Sequence, residues 1–214
     1  LSVSTMEVFK EKPGDHGQQW VPFSRTPLAD FFRHQLPWQT MQPIWDRAFL
    51  LTLGGFDVAF TRHQDVELHT RALLVPGVRF LMRRTEADCF YRIAEERKVI
   101  DPRRLLHSFS VSAVMYRQKF LRAAERLGRP DLLLGIIHRT YLQILLNAKS
   151  GRIDNVSLGS LEEVLLAPEW TSHLPAFKRW LFGFTRWYNL LPVRVPGVNL
   201  MVFALLTGGW PRGR

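Results

Sequence analysis

Apolar residues recur along most of the chain at spacings of three and four, the period of a helix with one buried face. Turn residues break this pattern into segments. Thr26-Pro27 reads as a cap followed by proline at the first helical position, predicting a short helix to about Leu36. Ile44–Leu53 is an apolar helix candidate ended by Gly54-Gly55, and a further helix is predicted from about Phe56 to Val75. Thr85-Glu-Ala-Asp88 has the form of a capping box with Asp in place of Glu and predicts a helix over 86–98. Asp101-Pro102 opens a long helix closed at Leu127-Gly128, and a second helix follows Pro130 to about Lys149. Ser160-Leu-Glu-Glu163 reads as a full capping box before Pro168. Helices are also predicted from Pro175 to Leu191 and from Pro196 to about Leu206. No run shows a convincing strand alternation. The predicted class is mainly α: a helical bundle or hairpin core over 26–168, an extended Gly/Pro-rich arm over 1–25, and a basic aromatic segment over 169–214. Trp20 and Phe23 suggest that the arm lies against a surface.

The best-defined unit is the pair of helices over 102–149. Leu121, Ala124 and Leu127 share a face that Leu133, Ile137, Leu142 and Leu145 can meet from the second helix. The stretch FLRAAERLGRPDLLLGII, residues 120–137, resembles one hairpin of the tetratricopeptide and pentatricopeptide repeats. Matrix-side subunits of respiratory complexes, such as one of cytochrome c oxidase, are built of similar hairpins. No second copy appears at a period of about 34 residues, so a plain helical hairpin is the simpler reading. Met115-Tyr116-Arg117 resembles the tripeptide of the Leu-Tyr-Arg family of mitochondrial accessory and assembly factors, but it falls in mid-helix with Met for Leu.

Charge changes the picture more than hydropathy does. The 214 residues carry 29 Lys+Arg against 19 Asp+Glu, a net charge of +10. Of the bases, 23 are Arg, which suits planar pairing with phosphates and carboxylates. Residues 1–60 are net −1, 61–130 net +7 and 131–214 net +4. No carboxylate follows Glu169, while six cations do: Lys178, Arg179, Arg186, Arg194, Arg212 and Arg214. This acid-free stretch also holds Trp180, Trp187, Tyr188 and Trp210. Trp and Tyr favour the membrane interface, and long cationic side chains reach its phosphates. The predicted lipid-binding residues are therefore Lys178, Arg179, Trp180, Arg186, Trp187, Tyr188 and Arg194. The uncharged run from Val195 to Trp210 has 16 residues, about 24 Å as a helix, short of the ~30 Å hydrocarbon core. An interfacial or re-entrant segment, or a helix buried in a partner, fits better than a span. A core helix of the same domain is the plain alternative.

Classical catalytic chemistry finds little support. One cysteine, Cys89, excludes a disulfide framework and a four-cysteine zinc site. His63, Asp65, Glu67 and His69 are dense in metal-capable groups, but on a helix they form two i, i+4 pairs on different faces. A polar helix surface is the simpler reading, and neither a metal nor another cofactor is expected. Phosphate-loop and nucleophile-elbow motifs are absent. The basic centre (Arg79, Arg83, Arg84, Arg92, Arg97, Lys98, Arg103, Arg104) interleaves with Glu86, Asp88, Glu95 and Glu96, a pattern of helix ion pairs more than a phosphate-tracking stripe. The chain starts at Leu1 rather than Met, which fits a processed organelle protein, or a late start. The expectation is a non-catalytic accessory subunit of a mitochondrial inner-membrane complex, of the respiratory chain or ATP synthase. It would sit on the matrix side, contact other subunits and bind anionic lipid such as cardiolipin. The alternatives are an RNA-contacting protein of a mitochondrial ribosome, and a small helical enzyme or assembly factor with a pocket near His63–His69 or His107.

Overall fold

The structure is a computed structural model that describes residues 1–93, 101–193 and 195–209. It is mainly helical. The backbone separates into two compact units: Leu1–Phe31 with Leu36–Ala59 and Gln64–Val99, and Phe32–Gln35 with Phe60–His63 and Ile100–Arg214. The break near residue 100 differs from the sequence-based division into 1–25, 26–168 and 169–214.

The first unit holds strands that the sequence pattern does not predict. Strands β1 (Ser2–Val3), β4 (Pro43–Ile44) and β5 (Leu81–Met82) form one small sheet in the order β4-β1-β5. Strands β2 (Met6–Phe9), β3 (Gln18–Trp20) and β6 (Cys89–Arg92) form another in the order β3-β2-β6. The expected extended arm is thus a folded part of a sheet. Trp20 pairs with Met6, and its carbonyl accepts a bond from Gln42 Nε2 at 2.9 Å. The ring of Phe23 lies under the Arg84 guanidinium at 4.5 Å. The helix expected over 86–98 is replaced at its start by β6, which pairs in parallel with β2 from Met6–Cys89 to Phe9–Arg92. Cys-Phe-Tyr-Arg is a good strand sequence, and that long-range pairing outweighs the local capping signal. Residues 94–98 of that expectation lie outside the described residues.

Three short helices complete this part of the chain. Helix α1 (Pro27–Phe32) begins at its predicted proline. Helix α2 (Arg47–Thr52) is capped by Asp46, whose carboxylate accepts from Phe49 N at 2.8 Å. Helix α3 (Gln64–Leu73) is shorter than the predicted 56–75.

The second unit is a helical bundle. Helix α4 (Pro102–Arg126) is capped by Asp101, and Gly128 terminates it with φ 66°. A 3₁₀ turn (Pro130–Leu133) leads into α5 (Leu134–Lys149). Helices α6 (Asn155–Leu165), α7 (Pro168–Thr171), α8 (Ala176–Leu190) and α9 (Val198–Thr207) follow. The α4–α5 hairpin is present, but the buried stripe of α4 is Leu106, Ala113, Tyr116, Phe120 and Ala124. Of the face predicted from sequence, Ala124 is buried, Leu121 half-buried and Leu127 exposed. Opposite them, Leu133, Ile137 and Leu145 are buried as expected and Leu142 is half-buried. Gly135 lets the 32–35 segment lie directly on α5, since a Cβ there would stand 2.5 Å from the Arg33 carbonyl oxygen.

Candidate functional site

Helix α8 divides sharply into two faces. Leu181, Phe182, Thr185, Tyr188 and Asn189 point inward at helical spacing. Phe177, Trp180, Phe184 and Trp187 follow one another along the other side. Their rings form a continuous row: Phe177–Trp180 at 6.2 Å, Trp180–Phe184 at 5.4 Å and Phe184–Trp187 at 5.7 Å between centroids. Trp180 and Trp187 are each 59% exposed. Large rings left in water on one helix face mark an interaction surface.

Six of the seven predicted lipid contacts lie on this helix, and they separate there. Trp180, Trp187, Arg179 and Arg186 lie on the exposed side. Arg179 donates to the carbonyls of Ser172 and Leu174, and Arg186 Nε donates to Glu162 at 2.9 Å. Lys178 turns inward and pairs with Asp131, its side chain only 12% exposed. Tyr188 is buried and its hydroxyl donates to the Val195 carbonyl. Lys178 and Tyr188 are therefore built into the bundle rather than offered to a partner, and Arg194 lies outside the described residues. Phe177 and Phe184 belong to the row, and the sequence shows them at i, i+3, i+7 and i+10 with the two tryptophans.

Further apolar side chains are exposed after α8. Val193 and Val195 in the connection are exposed, as are Leu200, Met201 and Leu205 of α9. A reciprocal pair of side-chain hydrogen bonds, Asn189 Nδ2 to Asn199 Oδ1 and Asn199 Nδ2 to Asn189 Oδ1, each at 2.9 Å, ties α9 to α8. Glu162 of α6 accepts from the Tyr141 hydroxyl at 2.6 Å as well as from Arg186, stitching α5 and α8 to one carboxylate. Burial and that neighbouring carboxylate push the Tyr141 hydroxyl far up from its ordinary value. Among the described residues no helix is long and apolar enough to cross a membrane.

A second feature lies between α4 and α6. A cavity of about 490 Å³ is lined by Arg103, Arg104, His107 and Ser108 from α4 and by Val156, Ser157, Ser160 and Leu161 from α6. The i, i+4 spacing puts these groups on two facing stripes. Arg103 is 3.7 Å from Asp101. Asp154 caps α6 through Ser157 N at 2.7 Å, and that bond holds its carboxyl below the usual range. Ser160, expected as a cap, is inside α6 and donates to the Val156 carbonyl.

The remaining sequence candidates are held in structural roles. Glu67 is buried and paired with Arg71 at 2.7 Å. Asp65 accepts from Thr40 Oγ1 at 2.6 Å. His69 is enclosed by Phe31, Trp38 and Trp45, the last stacked on it at 8°. His63 lies outside α3, against His34 and Phe109. Among the described residues no group of three or more such side chains is placed to hold a metal. Burial, with the charge of Asp88, raises Cys89 above the usual thiol value, the opposite of an activated nucleophile. Tyr116 is fully buried and Arg117 lies 4.4 Å over the Trp170 ring, so both pack within the bundle.

Comparisons with protein-family models, curated proteins and solved structures found no match to the chain.

Proposed function

We propose that this protein is a non-catalytic, peripheral component of a membrane-bound assembly, attached to an anionic membrane surface through the aromatic row of α8. The observation that carries this reading is that row: Phe177, Trp180, Phe184 and Trp187 in successive ring contact along one helix face, with Trp180 and Trp187 largely exposed. Arg179 and Arg186 flank it in a stretch of sequence with no carboxylate after Glu169. An aromatic face with a basic rim is the pattern of helices that lie in the interface of an anionic bilayer. Fully burying such a ring contributes roughly 1.5–3 kcal/mol, and each cation near an anionic surface adds about 1 kcal/mol. Several half-exposed rings together supply enough for reversible attachment. Read with the Arg-rich composition, the assembly is an energy-converting complex of the mitochondrial inner membrane, approached from the matrix side.

Flotation of the full chain with vesicles tests the reading. The chain rises with cardiolipin-containing vesicles and far less with zwitterionic ones. Trp180→Ala/Trp187→Ala abolishes most of the binding while leaving the helical circular dichroism unchanged. A double variant that floats like the parent contradicts the proposal. RNA binding without vesicle binding would favour the ribosomal alternative.

A further inference from the structure

We infer that the groove between α4 and α6 binds a phosphate group carried by a small molecule or a headgroup. This assignment is independent of the aromatic row of α8. Its basis is the chemistry of the two facing stripes. Arg104 and His107 both line the cavity, and among the described residues neither engages a carboxylate. Arg103 stands beside them but answers to Asp101 at 3.7 Å and to the nearby Asp154. Among the described residues the groove therefore offers two nitrogen-donor side chains that no carboxylate opposes and a third that is partly neutralised. Ser108, Ser157 and Ser160 add hydroxyls on both walls. Ser157 already bonds to the Asp154 cap and Ser160 to the Val156 carbonyl, which leaves Ser108 the freest of the three among the described residues.

A tetrahedral phosphate suits this set better than a planar carboxylate. Its oxygens diverge toward a guanidinium, an imidazole and a hydroxyl at once, and its second negative charge meets the second donor. The floor is apolar: Leu161 is buried, and Val156 forms an exposed rim. A volume of about 490 Å³ holds more than the phosphate itself, so the group arrives on a small body that rests against Leu161. That size falls within the range of small-ligand sites, roughly 300–1,000 Å³. Asp101 and Asp154 at the Arg103 end would repel an extended polyanion, which disfavours a nucleic-acid strand.

Pyrophosphate and vesicles containing phosphatidic acid serve as probes, with the imidazole signals of His107 followed by NMR on the full chain. The assignment predicts saturable shifts of His107 with pyrophosphate, with the vesicles, or with both. Pyrophosphate alone identifies a soluble source; vesicles alone identify a headgroup. In whichever arm responds, Arg104→Gln weakens binding about tenfold, the size of one lost charge-assisted contact. Arg126→Gln, at the far end of α4, leaves it unchanged. All of these positions are exposed, so the fold is retained. Signals that stay in place with both probes overturn the assignment. So does an R104Q variant that binds like the parent, an equal loss in R126Q, or a response to single-stranded RNA alone.

Discussion

His69 and His138 show how burial sets the chemistry of single residues here. Each sits among apolar or aromatic neighbours, and desolvation holds the imidazole down, to about 4 for His69 and about 3 for His138. The unfolded chain binds these protons near 6.5, so it takes up more protons than the folded chain below that value. Stability is therefore full above about pH 6.5 and falls as the pH drops toward 4. Urea midpoints measured across that window should decline, and His138→Leu should reduce the slope. A midpoint flat from pH 6.5 to 4 would show that these rings are not buried as described. Residue-scale legibility in the sequence was uneven. The exposed Trp180 and Trp187 could be anticipated from their spacing and their acid-free surroundings. That Lys178 turns inward could not, because its partner Asp131 lies 47 positions earlier and only the fold brings them together.

At the scale of elements, local signals succeeded where they stood alone. Asp101-Pro102 and Gly128 bound α4 as expected, and Gly54-Gly55 follow the end of α2. They failed where a stronger competitor stood nearby. The cap of α6 is Asp154, six residues before Ser160, whose sequence motif is the more complete. Asp154→Ala should thus lower the denaturation midpoint clearly, as the loss of a helix N-cap does. Ser160→Ala should cost less than about 0.5 kcal/mol. Chemical denaturation of the two variants decides between the caps, and a larger loss in S160A would reverse the assignment. The strands were hidden for a different reason. They are two to four residues long, too short to show alternation, and each sheet depends on pairing between segments far apart in the chain, as in Ser2 with Leu81 and Met6 with Cys89.

For the whole molecule, the uneven charge becomes a division of labour. The interleaved signs of the middle region resolve partly into caps and pairs, such as Asp101 with Arg103 and Glu67 with Arg71. The acid-free stretch keeps an aromatic row in water beside Arg179, which bonds to two carbonyls, and Arg186, which pairs with Glu162 of α6. The helical class was legible throughout; the two-unit division and the α4–α6 groove were not, since both depend on tertiary packing. The central claim is that α8 lies in a membrane interface with its rings buried. Gly183 offers a direct probe, being exposed between Trp180 and Trp187, with open space where a Cβ would stand. A spin label on Gly183→Cys, in a Cys89→Ser background, reports its surroundings by paramagnetic resonance. On adding anionic vesicles, the account predicts that the label becomes accessible to oxygen and shielded from a water-soluble nickel chelate. A label that stays as open to nickel as it is without vesicles would contradict it.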